Sequence, residues 1–101
     1  MRIQLLYVPG CPNYQPTLER VERALASESL CEDVHSVEVA NRATAISLCF
    51  PGSPTVRVNG QDVEANPPLV PGLACRLYEN GLGMPAEKII RAAIFEAKRK
   101  E

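Results

Sequence analysis

Val8-Pro9-Gly10-Cys11-Pro12-Asn13-Tyr14 marks the place where an apolar strand stops and a helix starts, with a cysteine at the junction. The run before it, Ile3-Gln4-Leu5-Leu6-Tyr7-Val8, is short and nearly continuous in apolar character, as a strand covered on both faces would be. Pro9-Gly10 ends it. Beyond the cysteine, Tyr14, Leu18, Val21 and Leu25 recur at spacings of four, three and four, while Glu19, Arg20, Glu22 and Arg23 take the other side, which is the pattern of an amphipathic helix. A thiol at a helix start feels the partial positive charge of unpaired backbone N–H groups, which favours thiolate and hence nucleophilic or metal-binding chemistry. Cys11 is therefore the leading candidate functional residue. Burial as a small core residue is the competing reading. Pro16 qualifies the electrostatic argument: either the helix kinks there, or its regular part starts near Pro16 and Cys11 feels a weaker dipole.

The chain has 101 residues, enough to bury one core without disulfides or metals, and reads as one domain over 1–101. Eleven Lys and Arg against twelve Asp and Glu give a net charge of -1, so nothing points to nucleic acid or an anionic membrane. The start of the chain lacks the basic and apolar regions of a signal peptide, and no apolar run approaches a membrane span; a cytoplasmic protein is the expectation. The four cysteines stand at positions 11, 31, 49 and 75, with no close pair of the kind zinc sites use, and no structural metal is expected. With an ordinary apolar fraction and no export signal, the thiols are expected to be reduced.

After the first helix, which should end between Ser27 and Leu30, Cys31-Glu32-Asp33 leads into a second strand pattern, Val34-His35-Ser36-Val37-Glu38-Val39. A helical crossover makes these two strands parallel neighbours with a right-handed connection. His35 reads as a partly exposed strand histidine, and Cys31 as an incidental thiol. Asn41 is a good N-cap for a short helix whose apolar face holds Ala43, Ala45, Ile46, Leu48, Cys49 and Phe50, with Cys49 read mainly as packing. Thr55 to Val58 and Gln61 to Glu64 flank Asn59-Gly60, a strong hairpin signal because both central positions of a type I′ turn need positive φ. Pro85 should open the last helix, in which Ala86, Ile89, Ile90, Ala93, Ile94 and Ala97 share one face.

The element order is β-α-β-α-β-β-α, an α/β domain with a four-stranded mixed sheet flanked by helices. Between hairpin and last helix lies a long loop, 65–84, and long ordered loops in small domains often serve function. It contains Leu73-Ala74-Cys75-Arg76-Leu77-Tyr78, which could form a helical turn. Its apolar members Leu69, Val70, Leu73, Leu77 and Tyr78 are expected to cover something, because leaving each in water forgoes about 1.5 to 3 kcal/mol. The expected surface is the Cys11 end of the sheet, which would bring Cys75 toward the same site.

A strand ending in a helix-start cysteine, followed by Gly52-Ser53-Pro54-Thr55 and an Asn-Gly hairpin, resembles the thioredoxin superfamily over about four fifths of the chain. The resemblance implies a cis peptide bond at Ser53-Pro54 facing Cys11. It also implies that strand one lies beside strand three with strand four antiparallel at an edge, as in the minimal glutaredoxin-like version. The family's C-x-x-C motif reads Cys11-Pro12-Asn13-Tyr14 here, and Tyr14 cannot form a disulfide. The chain thus resembles monothiol members, and a group of small bacterial thioredoxin-like proteins with a C-P-N-aromatic start, a G-S-P-T segment and a late C-R-L-Y. The implied chemistry is thiol-disulfide exchange with Cys11 as nucleophile, Tyr14 as a neighbouring hydrogen-bond donor, and Pro12, Ser53, Pro54 and Thr55 shaping the groove. Cys75, Cys49 or glutathione would be the resolving thiol, and a thiol or disulfide compound or a protein the partner. No cofactor is implied. Two alternatives stand beside it: a binding module in which Cys11 with Cys75 or Cys49 takes mercury, copper(I) or arsenic species, and an interaction domain without thiol chemistry.

Overall fold

A computed structural model describes residues 1–101. Strand β1 (Ile3–Tyr7) leads to helix α1 (Tyr14–Ser27), then β2 (Val34–Glu38), α2 (Arg42–Ser47), β3 (Thr55–Val58), β4 (Gln61–Asp62) and α3 (Glu87–Lys100). The four strands form one mixed sheet in the order β2-β1-β3-β4. β1 and β2 run parallel with Ile3 opposite Val34, whereas β3 is antiparallel to β1 with Leu6 opposite Thr55. β4 adds an antiparallel pair at the edge. Asn59 and Gly60 have φ of 51° and 84°, as the type I′ turn requires, and Asn59 Oδ1 also accepts a 2.7 Å bond from the Arg2 amide. β4 is shorter than the expected 61–64: Val63 N–H still donates to Val56 O at 3.1 Å, but the Glu64 amide donates to Asp62 Oδ1 instead of to β3.

β1 is buried on both faces, so it supplies both halves of the core. Ile3 and Leu5 join Val21, Ala24, Leu25, Ile90 and Ile94 of α1 and α3, with Val56 and Val58 of β3 completing that layer. Leu6 points the other way, to Val39, Ala45 and Phe50 under α2. Strand alternation thus sorts the helices into a pair on one face and a single helix on the other.

Both of the first two helices end in the same Schellman geometry. After α1, Leu30 N–H donates to Leu25 O and Ser29 stands at φ 56°; after α2, Phe50 N–H donates to Ala45 O and Cys49 stands at φ 51°. This corrects the reading of Cys49 and its helix face. Only Ala45 and Phe50 of that face are buried; Ala43, Ile46 and Cys49 are exposed, because the left-handed turn that sends Phe50 inward sends Cys49 outward. The Asn41 cap forms as expected, its side chain accepting from the Thr44 amide at 2.8 Å. Pro85 stands just before the N-cap Ala86 rather than inside α3. No helix is long and apolar enough to cross a membrane.

Candidate functional site

Cys11 follows a tight turn at the end of β1, where Gly10 takes φ 75°. Its amide donates to Val8 O at 3.2 Å, its carbonyl accepts from Tyr14 N–H at 3.3 Å, and its side chain is half-buried. α1 begins at Tyr14 with Asn13 as N-cap, so the thiol stands two residues ahead of the cap. Pro16 falls in the first turn, where its missing N–H would have had no helical partner, and no kink is needed. Pro12 is exposed beside the thiol. The Tyr14 ring packs against Tyr7 with centroids 4.2 Å apart, and its hydroxyl lies 2.8 Å from Ser36 Oγ on β2. That hydroxyl is engaged with the sheet edge.

Val8 links the thiol turn to the segment before β3. Its carbonyl receives the Cys11 amide, while its own N–H donates to Ser53 Oγ at 3.0 Å. The Ser53–Pro54 peptide bond is cis, and Ser53, Pro54 and Thr55 are all buried. On its far side Ser53 forms a parallel bridge with Cys75: Ser53 N–H donates to Ala74 O at 3.1 Å, and Arg76 N–H donates to Ser53 O at 2.9 Å. The loop therefore runs alongside Ser53 at Cys75, and 73–78 forms no helical turn. Gly52, at φ 129°, makes this approach possible, since a Cβ there would lie 3.0 Å from Arg76 Cβ and 3.1 Å from Ala74 O. Gly83 passes so near Asn13 that a Cβ would fall 2.6 Å from its Nδ2, so the loop also runs beside the residues that follow Cys11.

The loop is held by a charged cluster that the sequence reading missed. Arg76 has a fully buried side chain; Nη1 bonds Asp62 Oδ2 at 2.7 Å and Thr55 Oγ1 at 3.1 Å, and Nη2 bonds Asp62 Oδ1 at 3.0 Å and Glu64 Oε1 at 3.2 Å. Its guanidinium carbon stands 4.1 Å from the centroid of the Tyr78 ring. Glu64 Oε2 accepts the Glu79 amide, and the Tyr78 hydroxyl donates to Pro54 O at 2.5 Å. Burial raises the Tyr78 pKa far above that of an ordinary phenol; the Arg76 charge opposes the shift, and Asp62 and Glu64 add to it. Arg76 itself is held charged above the usual arginine range: burial works against the charge, and the Asp62 and Glu64 contacts outweigh it.

The loop's apolar side chains behave differently from the expectation. Tyr78 is buried, but Leu69 is 93% exposed and Val70 79%, with Leu77 at 69% and Leu73 at 39%. Backbone bridging and the Arg76 cluster anchor the loop, so these side chains are not needed to hold it down. Cys75 is exposed, and so are Cys31 and Cys49. Cys49 lies in a separate groove with Pro51, Pro67, Pro68 and Leu69, where Arg57 Nη2 bonds its carbonyl at 3.0 Å. His35 is exposed on β2. No three His, Cys, Asp or Glu side chains gather in a group suited to a metal ion, so a soft-metal site here would rest on two thiolates.

No family model, curated protein or solved structure matches the chain. The four-stranded mixed sheet with three helices defines it as an α/β domain.

Proposed function

We propose that this chain is a minimal thioredoxin-like thiol protein that carries out monothiol disulfide exchange through Cys11. One observation carries the reading: Val8 ties the Cys11 turn and the Ser53–Pro54 segment to the same strand end. The strand order, with β1 beside β3 and β4 antiparallel at the edge, supports it, and so does the position of Cys75 across a bridge from Ser53. Cys11 loses its proton to solvent, and its Sγ attacks one sulfur of a disulfide R–S–S–R′. The S–S bond breaks, R′–S⁻ leaves and takes up a proton, and a Cys11–S–S–R mixed disulfide remains. An external thiolate such as glutathione, G–S⁻, then attacks the R-side sulfur of the mixed disulfide, which forms R–S–S–G and releases Cys11 as its thiolate. Where Cys75, which bridges Ser53, serves instead, its thiolate attacks Cys11 Sγ, R–S⁻ leaves and takes up a proton, and a Cys11–Cys75 disulfide forms.

The test is to treat the reduced protein with oxidised glutathione and map the adduct by peptide mass. The expected first adduct is on Cys11, lost in Cys11→Ser. First adducts on Cys31 or Cys49, with Cys11 unmodified, would remove Cys11 as the nucleophile.

A further inference from the structure

Away from the thiols, a cleft of about 350 Å³ opens between α3 and the segments 63–65 and 78–80, a size in the range of small-molecule sites. Its floor is apolar: Val63, Ala86, Ile89, Ala92 and Ala93 line it. Its polar lining comes from Glu64, Glu79, Glu96 and Asn80, beside the Tyr78 ring whose hydroxyl is turned to Pro54 O, and no Lys, Arg or His lines it. Glu96 has an exposed partner in Arg99, whereas the Glu79 carboxylate has no ionic partner.

A second observation gives the same sign of charge. Asp62 and Glu64 are buried against a single cation, Arg76, with side chains 8% and 6% exposed. One positive charge between two carboxylates leaves this desolvated cluster one negative charge in surplus, and Glu64 lies in the cleft wall. The surplus is held by hydrogen bonds as well as by Arg76, since Glu64 Oε2 accepts the Glu79 amide, and a cation at the cleft would add to its neutralisation. The apolar floor excludes a bare metal ion as the best occupant, because hard cations need oxygen ligands around them.

We propose that this cleft binds a small organic ammonium ion, its hydrocarbon body on the Ile89 and Ala92 floor and its charged head toward Glu79 and Glu64. None of the lining residues belongs to the Cys11 site, so this site stands independently of the thiol chemistry.

The test is an NMR titration of the ¹⁵N-labelled protein with benzylamine at pH 7, with benzyl alcohol and benzoate as neutral and anionic controls. Benzylamine should give saturable shifts at Val63, Ala65, Glu79 and Ala92 with Kd on the order of 1 mM, as befits so small a ligand. Benzyl alcohol should bind at least about five-fold more weakly, and benzoate not at all. Glu79→Gln, an exposed change that leaves the core alone, should weaken benzylamine about three-fold or more, and Ala92→Leu should fill the floor and abolish saturation. Equal shifts with alcohol and amine, an unchanged Kd in Glu79→Gln, or no saturable shift with benzylamine would each overturn the proposal.

Discussion

The Arg76 guanidinium of the long loop grips Asp62 of strand β4, fourteen positions earlier in the chain, through both of its terminal nitrogens at 2.7 and 3.0 Å. This bidentate pair, with Glu64 and Thr55 on the same guanidinium, is what fastens the loop and sets Cys75 opposite Ser53. Removing Arg76 would leave two carboxylates buried without a counter-charge. Arg76→Met is therefore expected to cost about 3 to 5 kcal/mol. Urea denaturation checks this, and adding Asp62→Asn and Glu64→Gln should recover a substantial part of the loss, since the abandoned negative charges are then gone.

Ser53 Oγ is the acceptor for the Val8 amide, the group that links the Cys11 turn to the segment before β3. Ser53→Ala leaves that N–H unpaired in a partly buried place, with an expected cost of about 1 to 3 kcal/mol. The same change should alter the alkylation rate of Cys11 and leave that of Cys31 as it was. Iodoacetamide rates followed cysteine by cysteine decide both points.

Cys75 is exposed and touches the charged cluster only through its neighbours, so Cys75→Ser should change stability by less than about 0.5 kcal/mol. If Cys75 is the resolving thiol, diamide oxidation yields a Cys11–Cys75 disulfide in the natural protein and none in the variant. Peptide mapping of the oxidised protein reads this directly. An unchanged disulfide pattern in the variant would reduce Cys75 to a surface thiol.

Tyr78 is one of three tyrosines, and burial beside the Asp62 and Glu64 carboxylates raises its pKa, with Arg76 opposing. In the unfolded chain the same phenol ionises near 10. The folded state therefore keeps a proton that the unfolded state gives up, and stability contributed by this group is complete below pH 10. Above that it should fall by about 1.4 kcal/mol per pH unit. Tyrosinate absorbance followed through the alkaline transition should show one phenol that ionises only as the protein unfolds, and Tyr78→Phe should remove both that phenol and the steep alkaline loss.

The periodic stretches of the sequence determined most of the elements. Apolar continuity in Ile3 to Tyr7, the three-and-four spacing from Tyr14 to Leu25, the Asn41 cap and the Asn59-Gly60 turn all act over a few residues, and all formed within a residue or two of where they were expected. The Cys11 turn at the strand end belongs to this local class as well. What tertiary structure alone decided is how distant polar groups find each other. Arg76, in a loop rich in proline and glycine, reads as a solvated charge; only the pairing of Ser53 with Cys75 brings it over Asp62 and Glu64, where their carboxylates make burial affordable. Cys49 faces water because a helix-ending left-handed turn, not its place on an apolar face, sets its direction. Leu69 and Val70 stay exposed because ion pairing and backbone bonds hold the loop that their hydrophobicity was expected to hold. Local patterns encode dihedral preferences and amphipathic faces, whereas a buried ion pair exists only once both partners have been carried to the same place.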